Sequence, residues 1–320
     1  MKKVRVGVVG VGHLGQHHAR IYAKNPRCEL IGVVDINKKV ATKIAHTYNT
    51  QSFFDYHYLI GQVDAVSIAV PTVSHYEIAK TFLEDNVHVL VEKPITTTVK
   101  EAHELILLAR KRNLILQVGH IERFNAAIRK LNEILKMPKF IEAHRLGPFD
   151  PRVKDIGAVM DLMIHDIDII LRIVKSPIQS IEAVGIPILT DKEDLANARI
   201  RFENGCIANI TVSRVSPHHM RKIRIFQPDA YISVDYRKQA MEIYRKIENP
   251  NPRKGDLPSK IVRKKIRLKS EEPLKVELGH FIKCIQKGVQ PTVTGEHARD
   301  ALEIVVQISQ EIRKRINEQQ

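Results

Sequence analysis

The fold is decided by the stretch Val4-Arg5-Val6-Gly7-Val8-Val9-Gly10-Val11-Gly12-His13-Leu14-Gly15, in which an apolar strand runs directly into the pattern G-x-G-x-x-G. A helical period follows, and the next apolar run leads into Asp35. Asp35 stands about 20 residues after the last glycine, as it does in dinucleotide-binding folds. A glycine loop alone is a weak signal, but this order of strand, loop, helix, strand and acid predicts a dinucleotide site.

Each residue type in this segment has a physical reason. Gly10 permits a tight turn, Gly12 lets the backbone approach a pyrophosphate, and Gly15 allows close packing of helix on strand. The amino end of the helix offers N–H groups and the positive end of its dipole to the phosphates. The Asp35 carboxylate can accept hydrogen bonds from both ribose hydroxyls and would repel a 2′-phosphate, so NAD is favoured over NADP.

The first 120 residues alternate apolar strands with amphipathic helices, which predicts a parallel sheet covered on both faces. The predicted strands are 4–9, 30–34, 65–70, 87–91 and 114–118, and the predicted helices are 14–24, 38–48, 74–85 and 99–112.

Beyond about residue 120 the pattern becomes strand-rich, which predicts a mainly antiparallel sheet. The predicted strands are 140–146, 178–186, 195–202, 206–213, 222–226, 231–235, 241–244 and 261–268, and the predicted helices are 124–136, 156–174, 273–287 and 296–316. We therefore expect two domains, a cofactor domain over residues 1–120 and a second domain over residues 121–320.

Composition narrows the class of protein. The 320 residues are 43% hydrophobic and 27% charged, with three cysteines and a formal charge of +15. No apolar run approaches the ~18 residues of a membrane span, and no CxxC pair suggests zinc or redox chemistry. We expect reduced thiols, a cytoplasmic location and no membrane partner. The positive charge favours an anionic partner, either nucleic acid or a phosphorylated small molecule, but no nucleic-acid-binding signature accompanies it.

Two further motifs carry candidate catalytic groups. Lys93 follows a strand in the tripeptide Glu92-Lys93-Pro94, at the sheet edge where ligands bind in open α/β folds. Pro94 favours an extended backbone at Lys93, and a cis bond is possible there. Asp161 and His165 are four residues apart in an apolar helical segment, so they share one helix face. A histidine beside a carboxylate suits a general base, whereas a metal site would need a third ligand that the sequence does not show.

The motifs GVGHLG, VPTVSH, EKP and DLMIHDID occur here in the order in which the Gfo/Idh/MocA family of nicotinamide-dependent oxidoreductases has them, and the chain resembles that family over nearly its whole length. The resemblance implies an α/β protein with an N-terminal Rossmann domain and a C-terminal α/β domain whose open-faced, mainly antiparallel sheet forms a homodimer or homotetramer interface. It implies NAD as cofactor and a small-molecule substrate.

The resemblance also implies roles for individual residues. His165 would accept the proton of a substrate hydroxyl, Lys93 would orient that hydroxyl, and Asp161 would complete the catalytic set. The cofactor would be held by Gly10, Gly12, His13, Leu14, Gly15, Asp35, Val70, Pro71, Thr72, His75, Glu92 and Lys93.

Longer segments, including GHIERFNAA and RLGPFDPRVKDIGAVMDLMIHDIDII, resemble the branch of the family that oxidises the 3-hydroxyl of UDP-N-acetylglucosamine. Arg123, Asn125 and Arg152 are then candidate substrate contacts, together with Asp161 and His165. We also consider Arg145 and Lys154 as diphosphate contacts, with a basic surface loop as the alternative. Two other functions stay open at this point: a dehydrogenase of a free sugar or inositol, and a ligand sensor without turnover on the same fold.

Overall fold

The computed structural model describes residues 2–151, 155–249 and 259–318. The chain divides into two compact units, the first containing residues 1–124 and 272–303 and the second containing residues 125–271 and 304–320. None of the described helices combines the length and apolar character that crossing a bilayer requires. All three cysteines are buried and carry free thiols, as expected.

The first unit contains a parallel six-stranded sheet in the order β3-β2-β1-β4-β5-β6 among the described residues. The strands are β1 Val4–Val9, β2 Cys28–Val34, β3 Gln51–Phe53, β4 Ala65–Ile68, β5 His88–Glu92 and β6 Leu116–Gly119. Five of them confirm predicted strands. Strand β3 was not predicted, because its three residues are too few for a hydrophobic period to show.

Four helices connect these strands: α1 Gly15–Ala23, α2 Lys38–Tyr48, α3 His75–Glu84 and α4 Val99–Lys111. Their starts have local causes. The Asn37 side chain accepts hydrogen bonds from the N–H groups of Lys39 and Val40 at the start of α2. At α4, Thr98 and Glu101 form a reciprocal capping box, which satisfies two backbone donors that would otherwise lack partners.

The domain division differs from the contiguous one expected at residue 120. Helix α7, Pro273–Lys287, returns to the first unit and places Leu278, Phe281 and Ile282 in the same buried cluster as Val6 and Tyr22. An amphipathic helix buries its apolar face wherever that face fits. The hydrophobic period of α7 therefore predicted the helix correctly, although it carried no information about which sheet it covers.

The second unit contains an eight-stranded sheet in the order β14-β13-β12-β11-β7-β10-β9-β8 within the described residues. The strands are β7 Phe140–Leu146, β8 Ile178–Ile186, β9 Leu195–Phe202, β10 Ile207–Ser213, β11 Met220–Gln227, β12 Ala230–Asp235, β13 Ala240–Glu248 and β14 Ser259–Ile266. Among the described strands of this sheet, only β7 and β10 pair in parallel, so the prediction of a mainly antiparallel sheet is confirmed.

One face of this sheet is buried and the other is half-exposed, as the alternation along β7 and β12 shows. Helix α5 spans Ala126–Ile134, and the chain closes with α8, Gly295–Glu318. The predicted helix over residues 156–174 is interrupted. A π-helical turn, Val159–Met163, comes first, and α6, Ile164–Val174, continues from it. Hydrophobic periodicity cannot distinguish one wide turn from a regular one, so this feature was not foreseen.

Candidate active site

The glycine loop between β1 and α1 has the geometry that a bound pyrophosphate needs. A Cβ atom on Gly10, whose φ is +81°, would lie 2.7 Å from the Ala69 carbonyl oxygen. A Cβ on Gly15 would lie 1.7 Å from the Gly10 carbonyl oxygen, whereas one on Gly12 would meet none of the described atoms within 4 Å. The first and third glycines are therefore required by packing. The open space at Gly12 is where a ligand can approach the backbone.

The amino end of α1 faces this open space. Leu14 caps the helix with an apolar side chain that cannot accept a backbone hydrogen bond, and no acidic residue stands in the first turn. Gly12, His13 and Leu14 are all exposed. The positive end of the helix dipole is therefore left available to an anion, which is the arrangement that binds dinucleotide phosphates.

Asp35 is held at the same place by the loop itself. One carboxylate oxygen accepts the N–H of Val11 at 3.0 Å, and the other accepts the N–H of Asn37 at 2.9 Å. These two bonds fix a half-exposed negative charge at the carboxyl end of β2. A carboxylate in this position favours ribose hydroxyls and disfavours a 2′-phosphate. Together, the loop and Asp35 fit NAD.

The segment after β4 contributes Val70, Pro71 and Thr72 at the carboxyl edge of the sheet. Pro71 is exposed, and Val70 and Thr72 are half-buried. In the strand order, β1 lies between β2 and β4, so the chain builds the sheet first on one side of β1 and then on the other. Open α/β sheets bind their ligands at the carboxyl ends of the strands where the strand order reverses in this way.

His75 has a different environment from the one its predicted cofactor role requires. Its ring is buried, with Nδ1 2.9 Å from the Pro94 carbonyl oxygen and Nε2 2.9 Å from the Val70 carbonyl oxygen. Burial lowers the pKa of His75, while the hydrogen bonds to these carbonyls oppose that shift. In the structure His75 contacts two backbone carbonyls in place of the predicted cofactor contact. It thereby connects the Val70 loop to the turn around Lys93.

The turn that carries Lys93 rests on a buried polar group. The Lys93–Pro94 peptide bond is cis, as the sequence analysis allowed. Glu92 is buried with its Oε1 3.1 Å from Nε2 of His18, whose Nδ1 lies 2.7 Å from the Ser67 hydroxyl. Burial alone would raise the pKa of Glu92, but the His18 hydrogen bond and the Lys93 charge hold it below its ordinary value. Glu92 therefore supplies a buried negative charge directly beside Lys93.

A second buried acid, Glu277 on α7, lies in the same unit. It is completely buried, and neither carboxylate oxygen has a hydrogen-bond partner among the described residues. Gln117 donates to its backbone carbonyl at 3.4 Å. Burial raises the pKa of Glu277 well above its ordinary value, and the Glu92 charge adds to that effect. Both effects favour the protonated form of the Glu277 carboxyl group.

In the second unit, Asp161 and His165 lie across the junction of the π-helical turn with α6. The Ile164 N–H donates to the Val159 carbonyl five residues earlier, and the Asp161 N–H donates to the Gly157 carbonyl. Asp161 and His165 are half-buried, whereas Met163, Ile164 and residues 166–170 are buried. Both predicted catalytic side chains therefore share the less buried side of the helix, and π turns frequently occur at functional sites.

The structure overturns the interpretation of Arg145 as a diphosphate contact. Arg145 is buried on β7, and its guanidinium makes a two-pronged ion pair with Asp166 on α6, at 2.9 and 3.2 Å. Its Cζ also lies 5.2 Å from the centre of the Tyr236 ring. A guanidinium engaged in this way cannot bind a phosphate without breaking a buried pair, which is strongly destabilising.

The three remaining predicted substrate residues have different outcomes. Asn125 is buried and caps α5 by accepting the Ala127 N–H, while its amide donates to the Tyr236 carbonyl at 2.9 Å. This capping role replaces its predicted substrate contact. Arg123 is half-buried and one of its amino groups donates to the Thr292 carbonyl at 3.3 Å, so its substrate role stays a prediction. Arg152, like Lys154, lies outside the described residues.

Several residues that shape the site carried no usable sequence signal. His18 and Glu277 are single polar residues on amphipathic helices, and only their burial shows that they belong to the site's surroundings. Across the part of the chain that the structure describes, no group of three histidine, cysteine or acidic side chains is arranged to hold a metal ion.

Two family models match the chain. Residues 4–120 match the Gfo/Idh/MocA model described as an oxidoreductase family with an NAD-binding Rossmann fold. Residues 138–233 match the Gfo/Idh/MocA C-terminal domain model. The first match covers the six-stranded sheet, and the second covers the eight-stranded sheet from β7 into β12.

Individual proteins are similar to this chain over most of its length. UDP-N-acetylglucosamine 3-dehydrogenase of Acidithiobacillus ferrooxidans is 41% identical over 247 residues, which cover 77% of this chain and 78% of the relative. A solved structure of that enzyme superposes with a TM-score of 0.90 and 36% identity over 98% of both chains. Myo-inositol 2-dehydrogenase of Thermotoga maritima is 25% identical over 93% of both chains.

The first prediction separates the ligand role of Gly12 from the packing role of Gly15. Gly12→Ala should fold normally, because its Cβ enters open space, but should weaken NAD binding by occupying the approach to the pyrophosphate. Gly15→Ala should lose thermal stability, because its Cβ would overlap the Gly10 carbonyl. Thermal unfolding and NAD titration of both variants provide the comparison. Wild-type NAD affinity in Gly12→Ala would contradict the assignment.

The second prediction concerns the neutral acid at Glu277. Its raised pKa means that the folded state holds a proton that the unfolded chain releases above about pH 4.3. The stability of the wild type should therefore fall as pH rises, by at most about 1.4 kcal/mol per pH unit from this group. Glu277→Gln lacks that proton, so its melting temperature should rise relative to the wild type between pH 5 and pH 8.

Glu84→Gln, an exposed change on α3 of the same unit, is the matched control and should show no such trend. If the difference between Glu277→Gln and the wild type were the same at every pH in this range, Glu277 would not be a buried neutral acid.

Proposed function

Since the chain belongs to the Gfo/Idh/MocA family of NAD-binding oxidoreductases, we propose that it oxidises the 3-hydroxyl of UDP-N-acetylglucosamine to a ketone. The observation that carries the proposal is the 41% identity to an enzyme named for that reaction, over about three quarters of both chains. The chemistry of Lys93, Asp161 and His165 supports it, because the reaction removes a proton from a secondary alcohol.

The first unit provides the cofactor site. Gly10, Gly12 and Gly15 with the amino end of α1 would hold the pyrophosphate, and Asp35 would hold the adenosine ribose. Val70, Pro71 and Thr72 border the same sheet edge. Bound NAD supplies the acceptor for the hydride that leaves the substrate carbon.

Side chains of the protein accept the hydroxyl proton and stabilise the negative charge that develops on the reacting oxygen. We assign the hydroxyl proton to an imidazole nitrogen of His165, which is a suitable base near neutral pH. Asp161, on the same side of the helix, stabilises the imidazolium that results. Lys93 donates to the reacting oxygen and offsets its developing negative charge. The hydroxyl then loses a proton to His165 and its carbon loses a hydride, so the product is the 3-keto sugar.

The diphosphate of the substrate calls for cationic contacts. Arg145 no longer qualifies, so Arg123, Arg152 and Lys154 are the remaining candidates of the original set. The net charge of +15 also favours a doubly charged anionic substrate over a neutral inositol.

The third prediction tests the substrate. UDP-N-acetylglucosamine, free N-acetylglucosamine and myo-inositol are offered with NAD, and NADH formation is followed by absorbance. We expect turnover of the nucleotide sugar and loss of most of kcat/KM for the free sugar, because binding energy from the diphosphate is used at the reacting carbon. His165→Ala should lower kcat by about 10²–10⁴-fold, the usual contribution of a positioned base, while NAD binding persists.

Equal activity on both sugars would remove the diphosphate role. Turnover of myo-inositol alone would make the chain an inositol dehydrogenase. Near-normal turnover in His165→Ala would remove that residue from the chemistry.

We also propose that the half-exposed face of the eight-stranded sheet joins copies of the chain into a homodimer or homotetramer. A ladder of aromatic rings crosses four neighbouring strands on this face, with successive ring centres 5.8, 4.8 and 5.2 Å apart; its members are Phe140, Phe226, Tyr231 and Tyr244. Phe226 is 37% exposed. Contiguous exposed aromatic surface is typical of protein interfaces.

The fourth prediction follows from that ladder. Sedimentation of the wild type should give a multiple of the 36.5 kDa chain mass, and Phe226→Glu should shift the population toward the single chain. Tyr58→Glu, which alters an exposed aromatic residue of the first unit, is the control. A wild type that sediments at 36.5 kDa at micromolar concentration would contradict the proposal.

A further inference from the structure

The loop between β8 and β9 holds the start of the π-helical turn that carries Asp161. The Glu193 carboxylate accepts the Val159 N–H at 3.2 Å, and the Glu193 carbonyl accepts the Ala158 N–H at 2.8 Å. These bonds satisfy two N–H groups at the beginning of the helix, which have no partner within it. Gly157 leaves room for this carboxylate, because a Cβ there would lie 2.0 Å from a Glu193 carboxylate oxygen and would displace it.

The next residue of this loop, Asp194, is completely buried and organises the loop from inside. One of its carboxylate oxygens accepts three backbone N–H groups of the loop, those of Ile188, Leu189 and Thr190. Its other oxygen accepts the Thr190 hydroxyl and Nε of Arg214, the latter at 2.7 Å. The loop is therefore folded around a single carboxylate.

Arg214 connects that carboxylate to the helix. Besides Asp194, its guanidinium donates to the Ile156 carbonyl, directly before the turn, and to the Thr190 hydroxyl. The side chains of Arg214 and Asp194 are 3% and 0% exposed. Burial alone would raise the pKa of Asp194, but its backbone hydrogen bonds and Arg214 hold it well below the ordinary value. The Asp194 carboxylate and the Arg214 guanidinium therefore form a buried ion pair between the loop and the start of the turn.

We propose that Glu193, Asp194 and Arg214 form a clamp that positions Asp161, and through it His165, for the reaction. These three are positioning residues, and the inference rests on the proposed function. A π turn is a rare conformation that frequently occurs at functional sites, and contacts from the neighbouring loop hold this one in place. The clamp supplies these contacts at Ile156, Ala158 and Val159, where the turn begins. Displacing a catalytic group by about 1 Å can lower a rate about 10²-fold, so the clamp controls turnover without touching substrate.

The experiment uses half-buried Glu193, because breaking the buried Asp194–Arg214 pair could unfold the unit. Glu193→Ala removes the acceptor for the Val159 N–H, and Glu193→Gln keeps an acceptor oxygen in the same place. We expect Glu193→Ala to lower kcat by about 10–100-fold, with KM for UDP-N-acetylglucosamine changed less than about threefold, and Glu193→Gln to restore most of kcat. Asp191→Ala, an exposed acid of the same loop, is the matched control and should retain wild-type kinetics.

Hydrogen exchange of the full chain gives a second measurement that does not depend on the substrate. Backbone amides of residues 158–163 should exchange faster in Glu193→Ala than in the wild type or Glu193→Gln, with α5 amides unchanged. Unchanged exchange in that segment, or a wild-type kcat in Glu193→Ala, would overturn the clamp. If the wild type fails to oxidise any of the offered substrates, the proposed function is wrong, and the exchange measurement still decides the clamp.

Discussion

The close approach of the first helix to the first strand is the constraint on which the nucleotide site depends. A Cβ at Gly15 would overlap the Gly10 carbonyl oxygen, so α1 can begin this near β1 only because position 15 has no side chain. The approach aims the amino end of α1 at the carboxyl edge of the sheet. It also leaves the Val11 N–H free to bind Asp35. The phosphate and ribose ends of the site are therefore linked through one backbone turn.

Buried polar side chains next to the Lys93 turn hold it in place. Glu92, His18 and Ser67 form a continuous series of contacts within the first unit, and His75 joins the same turn to the neighbouring loop. Such networks are costly unless their groups are satisfied, and satisfied ones fix a single geometry. Burial raises the pKa of Glu277 in the same unit well above its ordinary value, and the charge of Glu92 adds to that shift.

The second unit uses ion pairs for a similar purpose. Arg145 holds α6 to β7 through Asp166, and Arg214 holds the loop after β8 to the start of the π turn through Asp194. Both arginines are buried and both use their fork geometry. Some of the positive charge of the second unit therefore holds helices and loops in place and is not available to an anionic substrate. A count of basic residues cannot distinguish these two uses.

The sequence by itself determined most of the helices and strands, and the chemistry that depends on neighbours along the chain. The glycine loop, the alternation of strands and helices, the EKP turn and the shared face of Asp161 and His165 all follow from spacing, because turn sterics and helix periodicity are local. Only the tertiary structure decided what long side chains contact. It turned Arg145 and Asn125 from substrate candidates into a buried ion pair and a helix cap, returned α7 to the first unit, and inserted a π turn before His165. The physical reason is that a guanidinium or amide reaches partners far away in sequence, and its choice among them is made by packing and desolvation.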